Sequence, residues 1–164
     1  MAFDFTGDAV VITGAGSAQG IGFATARFLA ELGAKVCLAG ASERVRERAA
    51  ELVGRGHHAV AWVGDLTAEY GAHELVEFAV AELGGLDVLV NNAGMTSAQH
   101  PNYATGEIGP ADSLSEAGWH ASLARNLDTA FFCSKVALPF LRESDRGRIV
   151  MVASVTGPVT EATI

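Results

Sequence analysis

Five short apolar runs punctuate the chain: Ala9 to Thr13, Lys35 to Ala39, His58 to Val63, Val88 to Asn91 and Ile149 to Val152. They are rich in β-branched residues and apolar on both faces, as strands must be when helices cover both sides of a parallel sheet. Helical patterns fill the gaps. Ile21 to Leu32 opens after glycines and closes at Gly33, Ser42 to Val53 closes at Gly54, and Thr67 to Leu83 closes at Gly84 and Gly85. On the third, Val76, Val80 and Leu83 form the stripe that such a helix lays on a sheet. The alternation predicts right-handed crossovers and an α/β, doubly wound parallel sheet, its first five strands lying in one domain over residues 1–164. Met95 to Leu114 breaks the rhythm: it is long, irregular and rich in Gly, Pro, Asn and Thr, and it directly follows the fourth run. Ligands of such sheets sit beyond the carboxyl ends of the strands, so this stretch is expected to be a binding loop. Ser115 then stands as the N-cap of a long helix through Trp119, Asn126 and Phe132 towards Leu141.

A chain of 164 residues, 49% hydrophobic and 18% charged, has the means to build one buried core. Its formal net charge of −8 and its lack of a long Lys/Arg cluster argue against nucleic acid as a partner. The most basic segment, Ser42 to Leu52, interleaves Arg with Glu at helical spacing, the mark of a solvated helix face. Cys37 and Cys133 sit far apart in apolar surroundings and read as buried thiols of a reducing compartment. No secretory signal precedes the first run and no apolar span is long enough for a bilayer, so the expected location is cytoplasmic, with no membrane partner. The five histidines lack metal-ligand spacing, and no metal site is expected.

Between the first run and the first helix lies VITGAGSAQGIGFA, Val11 to Ala24. The dinucleotide pattern G-x-G-x-x-G fits at Gly14 and Gly16, but Gln19 stands in the third position and the glycine follows at Gly20. By itself this leaves a phosphate cradle and a structural turn open. The context, a strand before and a helix after, favours a cradle of the Rossmann kind, because the amides and dipole of a helix N-terminus suit a diphosphate. An NAD site places an acid at the end of the second strand; here Ala39, Gly40, Ala41 and Ser42 occupy that end and the first acid is Glu43. Ser42 and Arg44 are instead suited to a 2′-phosphate, which favours NADP over NAD. The missing acid also counts against an S-adenosylmethionine methyltransferase.

Thr13-Gly14, Gly20-Ile21-Gly22, Asp65-Leu66, Asn91-Asn92-Ala93-Gly94, Asn126, and Arg148-Ile149-Val150 leading to Ser154 together resemble the short-chain dehydrogenase/reductases, with similarity to 3-oxoacyl-ACP reductase-like members. The match runs in order over essentially the whole chain. The resemblance implies that Gly14, Gly20, Ile21 and Gly22 line the pyrophosphate and that Asp65 and Leu66 border the adenine. It has Asn92, Ala93 and Gly94 pass behind the ribose and nicotinamide. Ser154 is implied to hydrogen-bond the reacting oxygen and Asn126 to hold a relay water, for a small carbonyl or alcohol substrate. Dimers or tetramers, with the Asn126 helix at one interface, are implied as well. In simpler readings Asp65 caps a helix, Asn91 and Asn92 form a turn, and Asn126 is a buried amide satisfied by backbone. Two departures stand out: a glycine turn two residues longer than usual at Ser17 to Gln19, and the long Met95 to Leu114 loop.

The family's chemistry also calls for Tyr with Lys four positions on. Here Tyr70 is followed at that spacing by Glu74 and Tyr103 by Glu107, and the lysines are Lys35 and Lys135. The fifth run, apolar on both faces, lacks the charge, Pro or bulge that protects a sheet edge, so it reads as an interior strand. The expectation is therefore the N-terminal two-thirds of a longer reductase, inactive by itself. The competing reading is a nucleotide-binding or interaction module without catalysis.

Overall fold

The computed structural model describes residues 3–94 and 109–154. Most of the Met95 to Leu114 loop, with His100 and Tyr103, lies outside the described residues. The strands are β1 (Ala9–Thr13), β2 (Lys35–Gly40), β3 (Ala59–Val63), β4 (Val88–Asn91) and β5 (Arg148–Met151). All pair in parallel, in the order β3-β2-β1-β4-β5. The helices are α1 (Ile21–Glu31), α2 (Arg44–Gly54), α3 (Glu69–Leu83), α4 (Glu116–Leu123) and α5 (Thr129–Glu143). This is the doubly wound α/β sheet that the alternation of patterns predicts.

The pleat divides the core. Val10, Ile12, Val36 and Leu38 pack with α1 and α2 on one face, while Val11, Cys37 and Leu89 pack with α3 and α5 on the other. β1 is buried at every residue because both faces are covered. Both cysteines are buried and free, and burial pushes each thiol up to about 12, so neither is a reactive thiolate. The charged face of α2 is solvated and carries exposed pairs such as Arg46–Glu43 and Arg55–Glu51, which add little stability.

Boundaries differ from the sequence reading where side chains take over backbone groups. Asp65 Oδ1 accepts from the amide and hydroxyl of Thr67 at 2.9 and 2.7 Å. That local turn delays α3 to Glu69, so its N-cap is Ala68 and not Asp65. Ser115 does cap α4, accepting from the Gly118 amide at 3.0 Å. The long helix expected from there is interrupted: Ala124–Asp128 forms a π turn between α4 and α5.

The sheet's edges are unequal. β3 is half-buried, whereas β5 leaves Val150, Met151 and Val152 exposed beside an outer edge unpaired among the described residues. Leu127 and Phe131, on the helical layer, are also exposed, at 60% and 58%. No helix among the described residues is long and apolar enough to cross a membrane.

At the opposite end of the strands a polar clasp joins the first and last of them. Asp8, only 2% exposed, pairs with Arg146 at 2.5 Å, while Asp87 accepts from the Ala9 amide and the Ser144 hydroxyl. Desolvation raises the Asp8 pKa, Arg146 offsets this, Asp87 adds to it, and Arg148 and Asp4 act weakly in opposite senses. A raised carboxylate pKa destabilises the fold increasingly as pH climbs through that pKa. Arg146→Met is expected to cost about 1–2 kcal/mol at pH 7, less than a fully buried pair because Arg146 is half exposed. The deficit should shrink as pH falls through the raised Asp8 pKa. Urea unfolding of both proteins at pH 7 and pH 5 measures it, and a gap that widens on acidification contradicts the account.

Candidate functional site

At the carboxyl edge of the sheet lies an open cavity of about 740 Å³. It spans the exits of β1, β2, β3 and β4, where the direction of winding reverses, which is where open α/β sheets bind ligands. Its floor is set by Thr13, the last residue of β1. This fully buried hydroxyl accepts from the amides of Asn92 at 3.0 Å and Ala93 at 2.9 Å, and stands 3.4 Å from the Val90 carbonyl. The Asn92 side chain returns the tie, its Nδ2 donating to the carbonyls of Thr13 at 3.0 Å and Gly14 at 3.1 Å. β1 and β4 are thus fastened at the point where the glycine turn begins.

Two glycines of that turn are required by geometry. Gly14 has φ +68°, and a Cβ there would stand 2.8 Å from Ala93 Cα. A Cβ on Gly22 would meet the Asn92 amide at 2.6 Å and the Gly14 carbonyl at 2.7 Å. Gly22 is therefore the contact that lets α1 descend onto the clamp. Within the turn, Ser17 to Gly20 forms a tight bend, with the Gly20 amide donating to the Ser17 carbonyl at 3.0 Å. Gly20 is the N-cap of α1 and offers no side chain, so the first-turn amides of this helix have no side-chain cap.

The sequence candidates are distributed as follows. Gly14, Gly16, Ser42, Arg44, Asp65, Leu66, Ala93 and Gly94 line the cavity, whereas Gly20, Ile21, Gly22 and Asn92 are not among its described lining residues, and Ile21 is exposed in the first turn of α1. Arg44 Nε donates to Ser42 Oγ at 3.2 Å, which brings hydroxyl and guanidinium together on the rim beyond β2. Asn126 is exposed rather than buried. It sits in the π turn, donates to the Ser122 carbonyl at 2.8 Å, and its Oδ1 would stand 2.9 Å from a Cβ on Gly94. Ser154 is exposed and does not line the cavity. β4 and β5 pair through Asn91 and Met151, so Gly94 and Ser154 each follow that pair by three residues. The lysines are engaged elsewhere: Lys35 donates to the Leu83 carbonyl at the end of α3, and Lys135 pairs with Glu69 at 2.7 Å.

Several lining residues were not anticipated: Ser17, Gly64, Thr67 and, on the helical wall, Ala121, Ala124, Arg125 and Thr129. Helical periodicity places this wall near the cavity only once the sheet order is known. The π turn that shapes it leaves one sequence trace, a threonine five residues after Ala124: Thr129 directs both its amide and, at 3.1 Å, its hydroxyl to the Ala124 carbonyl.

The family model described as short chain dehydrogenase matches residues 8–164. The chain belongs to the short-chain dehydrogenase family. Among curated members of that family, it is 39% identical over 153 residues to the cis-4-hydroxycyclohexanecarboxylate dehydrogenase of Sinomonas cyclohexanicum, covering 93% of this chain and 57% of the relative. A 3-ketoacyl-ACP reductase from Sinorhizobium meliloti superposes with TM-score 0.79 at 36% identity, over 90% of this chain and 54% of that one. A short chain dehydrogenase from Burkholderia cenocepacia in complex with NADP superposes with TM-score 0.83 at 28% identity, over 98% of this chain and 61% of that one. The chain therefore spans little more than half the length of these short-chain dehydrogenases.

The clamp gives a direct test. Thr13→Val keeps shape but leaves two partly buried amides without an acceptor, at a combined cost of about 1–3 kcal/mol, whereas Thr13→Ser keeps the acceptor. Thermal unfolding should show a clear loss for the valine variant and a small one for the serine variant. Equal stability of all three proteins contradicts the assignment.

Proposed function

We propose that the protein is an NAD(P)-dependent oxidoreductase that interconverts a ketone and an alcohol, with NADP preferred. The observation that carries this reading is the N-terminus of α1. Its first amides have no side-chain cap and follow a turn whose Gly14, Gly16 and Ser17 line a cavity at the switch point of the sheet, while a Cβ on Gly14 or Gly22 would collide with Asn92 and Ala93 or with Asn92 and Gly14. These residues fit a dinucleotide. Gly14, Gly16, Gly20, Ile21 and Gly22 would hold the diphosphate; Asp65 and Leu66 would border the adenine; Asn92, Ala93 and Gly94 would support the ribose and nicotinamide. Ser42 and Arg44, paired on the rim, would take a 2′-phosphate, and the likeness to a family member that binds NADP supports this choice.

When bound, the nicotinamide gives or takes a hydride. Within this chain, Ser154 would hydrogen-bond the reacting oxygen and stabilise the charge that develops on it. Asn126, held in the π turn beside Gly94, would fix a water for proton delivery. A 3-oxoacyl compound is one substrate consistent with the likeness to a 3-ketoacyl-ACP reductase. The domain of residues 1–164 would supply the cofactor half of a longer sheet, since β5 exposes apolar residues along an edge unpaired among the described residues and the curated relative is longer. The exposed Leu127, Phe131 and Leu138 favour self-association as dimer or tetramer. The second reading, nucleotide binding without turnover, draws its support from Tyr70 and Tyr103, neither of which has a lysine four residues on.

Cofactor choice is measurable on the chain itself. Trp62 packs over Gly64, a lining residue, and can report binding by fluorescence. NADPH should bind more tightly than NADH, and Arg44→Met should remove most of that difference, about tenfold. Equal or tighter NADH binding contradicts the assignment of Ser42 and Arg44.

A further inference from the structure

The helix that runs from Glu116 to Glu143 is interrupted at Ala124–Asp128 by its π turn. Turns of this kind are rare and frequently mark functional sites. The mechanical consequence is a rotation. Each residue of an α-helix advances by about 100°, so one extra residue in a turn rotates the two flanking segments against each other by about that angle. α5 is fixed to the sheet through Cys133, Val136, Ala137 and Leu141. The rotation is therefore expressed on the α4 side, where Ala121 and Ala124 line the cavity. In an unbroken α-helix Ala124 and Thr129 would point about 140° apart, yet here both line the cavity.

Asn126 sits inside this turn. Its Nδ2 donates to the Ser122 carbonyl at 2.8 Å, so the carboxamide is tied to its own helix and goes where that helix turns it. With the π turn in place, its Oδ1 lies 2.9 Å from the point where a Cβ on Gly94 would stand. Thr129 closes the turn. Its amide donates to the Ala124 carbonyl, and its hydroxyl donates to the same oxygen at 3.1 Å. A threonine hydroxyl in a regular helix reaches the carbonyl three or four residues back, so a bond to the carbonyl five residues back belongs to the π form alone. Thr129 is 3% exposed, and water competes poorly for its hydroxyl.

We propose that Thr129 is a positioning residue for Asn126: its hydroxyl holds the segment in the π form and thereby keeps the Asn126 carboxamide against Gly94. This rests on the proton-delivery role given to Asn126 above, and adds the residue through which that placement is set.

NMR of the isotope-labelled chain reads the placement directly, through the Overhauser contact between the Asn126 side chain and the Gly94 α-protons, while thermal unfolding reads stability separately. Thr129→Val keeps the shape of the side chain without the hydroxyl, Thr129→Ala removes both, and Thr129→Ser keeps the hydroxyl. The valine and alanine variants should each lose most of the contact. The serine variant should retain it even where its melting temperature falls, a rescue that a purely packing role would not give. Two hydroxyl-free variants are used so that a folding defect in one leaves the other to report. Retention of the contact in a folded hydroxyl-free variant overturns the proposal and leaves the cofactor reading standing. Loss in all three variants alike, or absence of the contact from the unaltered chain, does the same. If the unaltered chain binds neither NADPH nor NADH, the cofactor reading falls and the positioning role falls with it, whatever the contact shows.

Discussion

One buried hydroxyl organises the business end of this sheet. Thr13 accepts two amides from the exit of β4 while Asn92 answers with two bonds to the exit of β1. All of these groups are main-chain or short side-chain atoms that are at least partly buried, where an unmade bond carries a desolvation penalty. The clamp therefore fixes where the glycine turn leaves the sheet. It also demands a glycine at Gly22, because the Asn92 amide occupies the space a side chain would need. The descent of α1, the direction of its amides and the rim of the cavity all follow from that contact.

The two walls of the cavity are made by different means. On the α1 side, binding capacity comes from bare backbone: three cavity or cap glycines, a small bend at Ser17 to Gly20, and an uncapped helix end. On the α4–α5 side it comes from side chains carried by an irregular helix. An unbroken α-helix would spread residues 121–129 over its regular period; the π turn gathers Ala124 and Thr129 into one locked loop and sets Asn126 beside Gly94. Membership of the short-chain dehydrogenase family and the cavity's place at the switch point both support the proposed dinucleotide ligand.

Much of this was legible before any coordinates. Strands apolar on both faces suit the interior of a covered sheet, so β1, β2 and β4 announced themselves; α1 and α3 end beside Gly33 and at Gly84 as expected, whereas α2 runs through Gly54 and is capped at Arg55. Of the candidates near the glycine turn and the NNAG segment, Gly14, Gly16, Ala93 and Gly94 fall at the cavity because strand-to-helix turns are short and local. The misreadings share a cause. Asp65, expected to serve as a helix cap in the simpler reading, spends its carboxylate on Thr67, a competition that composition does not reveal. The helix through Asn126 is periodic enough to look continuous, and its π turn depends on a buried threonine whose partner is a carbonyl. The double role of Thr13 depends on a pairing between residues about 80 positions apart, which only the sheet order supplies.

The central claim is that the amides at the start of α1 bind the diphosphate of a nicotinamide dinucleotide. Amide-resolved NMR of isotope-labelled protein during titration with NADPH tests it most directly. The account predicts that the largest shifts fall on the amides of Gly16, Ser17, Gly20, Ile21 and Gly22. Saturable binding that leaves these amides unmoved, or no binding at all, would contradict it.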